Sequence, residues 1–209
     1  LLHIPIFCLN QAFEIIMKNA LPFFLLLATL NTAVAQTAFT TRLSNAALEL
    51  TKQEVVYDPT YCTLKYPGGD VPADRGVCTD VIIRAYRKLG IDLQKNVHED
   101  MGAHFNEYPK IWGLKKPDRN IDHRRVPNLM VLFSRHGTVK TITNNPKDYV
   151  PGDIVCWNLG GSTTHIGLVV EKKSADGKRN MIVHNIGAGQ VLEDCMFEHK
   201  IIGHYQYGK

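Results

Sequence analysis

The sequence lacks most of the features that would set it apart from ordinary globular proteins. It contains no internal repeat, low-complexity tract or Pro/Ser-rich linker. Its 44% hydrophobic and 21% charged residues exclude a disordered chain, a coiled coil and collagen. Five cysteines in 209 residues are too few for a disulfide miniprotein. An excess of one charge is nearly absent as well. The 24 Lys and Arg against 20 Asp and Glu leave +4, which gives no argument for a nucleic-acid partner. No pair of carboxylates stands out as a glycosidase would require. His98-Glu99 with His104 has the wrong spacing for a zinc-binding HExxH helix. Asp118, Asn120 and Asp122 open like a calcium loop, but His123 stands where Gly is needed and Leu129 where the bidentate Glu belongs. A metal-dependent hydrolase built on His98, His104 or His123 stays open as a minor reading. No ligand set stands out, however, and no cofactor is implied.

What is present begins at the N-terminus. The first methionine is Met17, and residues 1–16 read as a non-native upstream extension. From Met17 a basic residue, Lys18, precedes an apolar run over Leu21–Leu30 and an Ala33-Val34-Ala35 cleavage site. Residues 17–35 therefore read as a signal peptide cleaved before Gln36. The apolar run falls short of the ~20 residues of a membrane span. No Cys follows the small residues, so neither a membrane anchor nor a lipid anchor is expected. The implied location is periplasmic or secreted, with Cys62, Cys78, Cys156 and Cys195 in an oxidising compartment. Cys156–Cys195 is the marginally preferred disulfide, because both lie in the C-terminal half; the spacing leaves the pairing open.

Residues 36–209 read as one domain. Apolar residues at 43, 46, 47, 50 and 54/55 predict a short helix over Leu43–Glu54. A Pro- and Gly-rich loop over Tyr57–Val77 precedes CTDVIIRAYRKLG, a helix that Gly90 should end. Further helices are predicted over Leu93–Phe105 and Pro127–His136. From Pro151 the period changes to two, and IVCWNL, HIGLVVEKK, NMIVHNI and KIIGHYQY read as strands. Helices first and an antiparallel meander second make the fold α+β with segregated layers.

Chemistry centres on Cys78. It opens its helix on the same stripe as Val81, Ile82, Ala85 and Leu89, where the free N–H groups and the helix dipole favour a thiolate. The bland alternative is a small buried hydrophobe. A nucleophilic Cys needs a base, and the base an orienting partner. His165 and His184 lie on successive strands, and period two gives His165, Gly167 and Val169 one face, and Ile182 and His184 another. Strands lie ~4.8 Å apart, so the two imidazoles can stand side by side.

The segments YPGGDVPADRGVCTDVIIRAYRKLG, VHEDM, PDRNIDHRRVPNLMVLFSRHG, PGDIVCWNL, HIGLVV and VHNIGAG resemble the domain of unknown function 1287 family of secreted bacterial proteins, from about Tyr66 to Tyr207. More distantly, the order of parts is similar to the NlpC-like cell-wall hydrolases, which are papain-like. That resemblance implies Cys78 as nucleophile, His165 as base, His184 as its orienting group and Tyr66 as an oxyanion partner. Val77-Cys78-Thr79 replaces the Asp-Cys-Ser usual in the distant family, which leaves the cleaved bond undefined. Residues 91–150 form an insertion expected to build a cleft wall or lid. Within it, Arg119, Arg124 and Arg125 are candidates for a cationic substrate rim; a solvated face of local ion pairs is the alternative. The expected function is an exported cysteine hydrolase that cleaves an amide bond in peptidoglycan peptides through a thioester. The second reading is a non-catalytic cell-wall or glycopeptide binding module on the same fold.

Overall fold

The computed structural model describes residues 36–208, so the upstream extension read over residues 1–16 and the signal peptide read over residues 17–35 lie outside the described residues. Residues 36–50 are helical (α1), and Phe39, Leu43, Ala46, Ala47 and Leu50 form its buried stripe at helical spacing. A two-residue parallel pair, β1 (Val56–Tyr57) with β2 (Arg75–Gly76), frames the loop that follows. Helix α2 spans Cys78–Lys88. It ends as its sequence predicts: Gly90 takes φ +82°, with Gly90 N–H donating to Arg87 O and Ile91 N–H to Tyr86 O, the two bonds of a Schellman motif. Helices α3 (Leu93–Ala103) and α4 (Val126–His136) follow, the first capped by Asp92, whose carboxylate accepts from the N–H groups of Gln94 and Lys95.

The second half is a six-stranded, wholly antiparallel sheet in the order β3-β8-β4-β5-β6-β7. Its strands are β3 (Thr138–Val139), β4 (Ile154–Gly160), β5 (Thr163–Lys173), β6 (Asn180–His184), β7 (Val191–Glu193) and β8 (Lys200–Gln206). The α+β reading with segregated layers therefore holds. A plain meander does not: β4 to β7 run as one, but β8 returns to the far side of β4 and is itself edged by β3. The return is fastened at the Pro151-Gly152-Asp153 turn. Asp153, with no exposure, accepts from His204 Nε2 at 2.7 Å, from Gln206 Nε2 at 2.7 Å and from Lys140 Nζ at 3.3 Å.

Alternation gives the sheet two different faces. Ile154, Cys156, Ile166, Leu168, Val170 and Val183 pack under the helices together with Cys78, Val81, Ile82 and Ala85 of α2. Val155, Trp157, Val169 and Ile182 form the opposite face, closed by Tyr149, Cys195 and Met196. Cys156 and Cys195 thus belong to different layers. All four described cysteines carry free thiols, so the Cys156–Cys195 bridge is not formed.

Candidate active site

Cys78 is the first residue of α2, and the acid three positions behind the cap fixes that end. Asp80 Oδ2 accepts from Val77 N–H at 2.7 Å, while its carboxylate is held by Arg124 through Nε at 3.1 Å and Nη2 at 3.0 Å. The Asp80 and Arg124 side chains are 3% and 2% exposed. Arg124 also donates to Thr60 O at 3.2 Å and Asp58 O at 3.3 Å, and Thr79 Oγ1 donates to Arg124 O. The Arg124 guanidinium, predicted to meet substrate, braces the Cys78 helix, and the residue also lines the cleft beside it. Its charge belongs to an acid 44 residues away, which local charge patterning cannot show.

Cys78 lies 7% exposed at the edge of a cleft of about 590 Å³. Ile111, Trp112, Ile121 and Arg125 line the cleft together with Tyr57, Ser162 and Thr164. Arg125 stacks on Trp112 at 4.1 Å and donates to Asp122 Oδ1 at 3.1 Å. Of the three predicted rim arginines, Arg124 and Arg125 both line the cleft, Arg124 with its guanidinium already committed to Asp80 and to the Thr60 and Asp58 carbonyls. Arg119 is exposed and sits 5.8 Å over the Tyr66 ring, away from the cleft lining. Tyr66 packs edge-on against His98 at 4.9 Å and does not line the cleft; the tyrosine there is Tyr57. The Pro- and Gly-rich loop offers several tyrosines, and only its path through the β1–β2 pair selects Tyr57.

The second group of site residues lies on β5 to β7. His165 Nε2 is 2.8 Å from His184 Nδ1, and His184 Nε2 is 2.9 Å from Glu193 Oε2. The predicted pair of strand histidines is therefore assembled, and it carries a third member, Glu193, that the sequence reading missed. β7 is three residues long, too short for its alternation to register, yet Glu193 pairs opposite Ile182 and so shares the His184 face. Gly167 makes room for the arrangement. A Cβ there would stand 2.5 Å from Ile182 Cγ2 and 3.2 Å from both His184 Cβ and Trp157 Cζ3.

The two groups lie on opposite faces of the sheet. Ile166 faces the helix layer with Cys78, whereas His165 turns to the Trp157 side, with the rings 5.8 Å apart. Asn185, next to His184, ties the layers together by donating to Gly76 O at 3.2 Å, two residues ahead of Cys78. The thiol touches β5 at the Ile166 N–H, the peptide joining it to His165. Among the described residues, no hydrogen bond links Cys78 Sγ and the His165 ring.

The protonation states correct a further expectation. Burial pushes the Cys78 thiol up to about 12, outweighing the stabilising N–H groups of Ile166, Thr79 and Cys78 itself, and Asp80 adds to the rise. Burial likewise lowers His165 to about 3, helped by His184 and His199. The resting state is a neutral thiol and a neutral imidazole on opposite faces of the sheet, not the thiolate that the helix dipole alone would favour. His98 and His104 carry no metal cluster with His123 among the described residues. His123 is buried, its pKa lowered to about 3 by desolvation and by Arg124 and Arg87.

Among known proteins, residues 44–207 match the family described as Domain of unknown function (DUF1287). The chain is 51% identical over 165 residues to the uncharacterized protein YijF of Escherichia coli (strain K12), covering 79% of this chain and 80% of that protein. No solved structure matches it. The chain belongs to the DUF1287 family.

Proposed function

We propose that the protein is a cysteine hydrolase of amide bonds in which Cys78 is the nucleophile and His165 its base. One observation carries the reading, the direction of the proton chain that ends at His165. An ionised Glu193 only accepts, so His184 Nε2 carries a proton toward it. A neutral His184 then has a bare Nδ1, which accepts from His165 Nε2–H. His165 is left with its lone pair on Nδ1, the tautomer a general base needs, and two further groups keep the ring in place.

In the reaction, the Cys78 thiol gives its proton to His165 Nδ1 as Sγ attacks the carbonyl carbon. The free N–H groups at the α2 terminus stabilise the oxyanion, with the Tyr57 hydroxyl on the same cleft. His165 returns the proton to the leaving amine, and a thioester remains on Cys78. Water, deprotonated by the same nitrogen, attacks the thioester and releases the acid and the thiol. The step requires the His165 ring, which rests on the Trp157 side of the sheet, to bring Nδ1 within hydrogen-bond reach of Sγ on the helix side when substrate binds. Arg125 beside Trp112 suits a substrate carrying a carboxylate near the scissile bond. The resemblance and the export signal read from the sequence support a peptidoglycan stem peptide in the periplasm as the substrate.

The test is cleavage of purified stem peptides by residues 36–209, followed by mass spectrometry of the products. Cleavage abolished in Cys78→Ala and His165→Ala supports the reading. Retained binding with no cleavage by the wild type replaces it with the binding module.

A further inference from the structure

The last relay member stands beside a group the hydrolytic reading does not use. Cys195 follows Glu193 by two residues, is 9% exposed, and aims Sγ at His184 Nε2 from 3.6 Å. His184 Nε2 already faces Glu193 Oε2 at 2.9 Å. One N–H cannot serve a thiol and a carboxylate equally, and the three ligand atoms lie within 4.8 Å of one another. We infer that His184, Glu193 and Cys195 form a site for a borderline-soft divalent cation of the zinc class.

The spacing fits that chemistry. Zinc bonds of ~2.0–2.1 Å to imidazole and ~2.3 Å to thiolate, at a tetrahedral angle, set the N and S atoms about 3.5 Å apart. The observed His184–Cys195 separation already has that value. The N···O pair would open by only about 0.4 Å as the hydrogen bond gives way to two metal bonds. An imidazole, a carboxylate and a thiolate together neutralise a divalent charge, and three protein ligands leave a fourth position for water. The ring opposite the metal has its outer partner too, because His184 Nδ1 faces His165 Nε2 at 2.8 Å. The Glu193 carboxylate supplies negative charge beside the Cys195 sulfur, while Arg179 neutralises Asp194 through paired contacts at 2.5 and 2.6 Å.

Occupancy reverses the relay, a consequence that rests on the function proposed above. With the metal on Nε2, the His184 proton sits on Nδ1 and is donated to His165 Nε2. The His165 proton then moves to Nδ1, the atom that must be bare to deprotonate Cys78. Both rings keep one proton each, and the Cys195 thiol releases one proton to solvent. Metal binding therefore switches the base off.

Cobalt(II) titration of residues 36–209, with zinc competition and calorimetry in buffers of different ionisation enthalpy, tests the site without any hydrolytic readout. Expected are one ion per chain, a sulfur-to-cobalt charge-transfer band, and one proton released. The band should survive Cys78→Ala and disappear in Cys195→Ser, with affinity for zinc at least about tenfold weaker in Glu193→Gln. No band, or a band lost with Cys78 rather than Cys195, overturns the site. If the wild type cleaves stem peptides, zinc should inhibit it and not inhibit Cys195→Ser. Equal inhibition of both overturns the switch while leaving the hydrolase reading intact.

Discussion

Replacing Arg124 by methionine is the sharpest test of what holds Cys78 in place. The substitution keeps an unbranched apolar stem and removes the guanidinium and its charge. In the fold it deletes the contacts to Asp80 at 3.0, 3.1 and 3.3 Å and strands the Thr60 and Asp58 carbonyls. With both side chains at 3% exposure or less, Asp80 is left as a charge that water cannot reach. Removing one partner of such a buried pair typically costs about 3–5 kcal/mol. For a chain of this size each kcal/mol moves the midpoint by about 2–4 °C, so thermal unfolding followed by circular dichroism should fall by roughly 6–20 °C. The double variant Asp80→Asn/Arg124→Met removes the stranded charge and should recover part of the loss, which a double-mutant cycle reads as coupling. A loss of less than about 1 kcal/mol, the range of an exposed pair, would refute the bracing role and return Arg124 to the rim.

Other outcomes follow from the same structure. Stability should fall on acidification below about pH 6.5, because His123 and His165 stay neutral in the fold while the unfolded chain takes up protons. Each buried ring contributes a slope of up to about 1.4 kcal/mol per pH unit, until the folded rings titrate near 3. Asp100 acts in the same direction at lower pH. Burial alone would raise it, but hydrogen bonds from Arg135, His136 and Tyr108 outweigh burial and hold it below the usual carboxylate range, so its contribution is lost as pH falls below about 3.8. Urea unfolding at several pH values checks both: a flat profile from pH 7 to 4 would contradict the histidine prediction, and no further loss below about pH 3.8 would contradict that for Asp100. Gly167→Ala should cost about 1–3 kcal/mol and disturb the His165–His184 contact, because the new methyl meets Ile182, His184 and Trp157; an unchanged melt would show the sheet has slack there. On the hydrolytic reading, Tyr57→Phe should lower kcat whereas Tyr66→Phe should not, and the reverse order would restore Tyr66 to the site.

Much of this was legible before the fold was known, and the parts that were share a cause: they are written in local periodicity. The Cys78 helix, its Gly90 stop, the four long strands and the side-by-side histidines all follow from spacings within one element or between neighbouring strands. What escaped depends on partners remote in sequence. Arg124 sits in a basic run that looks like solvated surface until Asp80 meets it. β8 pairs with β4 because the Asp153–His204 contact fastens it there, and no spacing announces that. Glu193 ends, and Cys195 follows, a strand too short to display an alternating pattern. The neutral state of Cys78 was missed because a helix dipole is visible in the sequence and desolvation is not.

The central claim, that His165 withdraws the Cys78 proton, is tested most directly by the rate at which iodoacetamide alkylates Cys78 at pH 7–8. Peptide mass spectrometry locates the adduct, and wild type is compared with His165→Ala and Glu193→Gln. The account predicts slow labelling of Cys78, still faster than at Cys156 and Cys195. The rate should fall about 100-fold without His165, the scale of a positioned general base, and by less without Glu193. Equal Cys78 labelling in wild type and His165→Ala would contradict it.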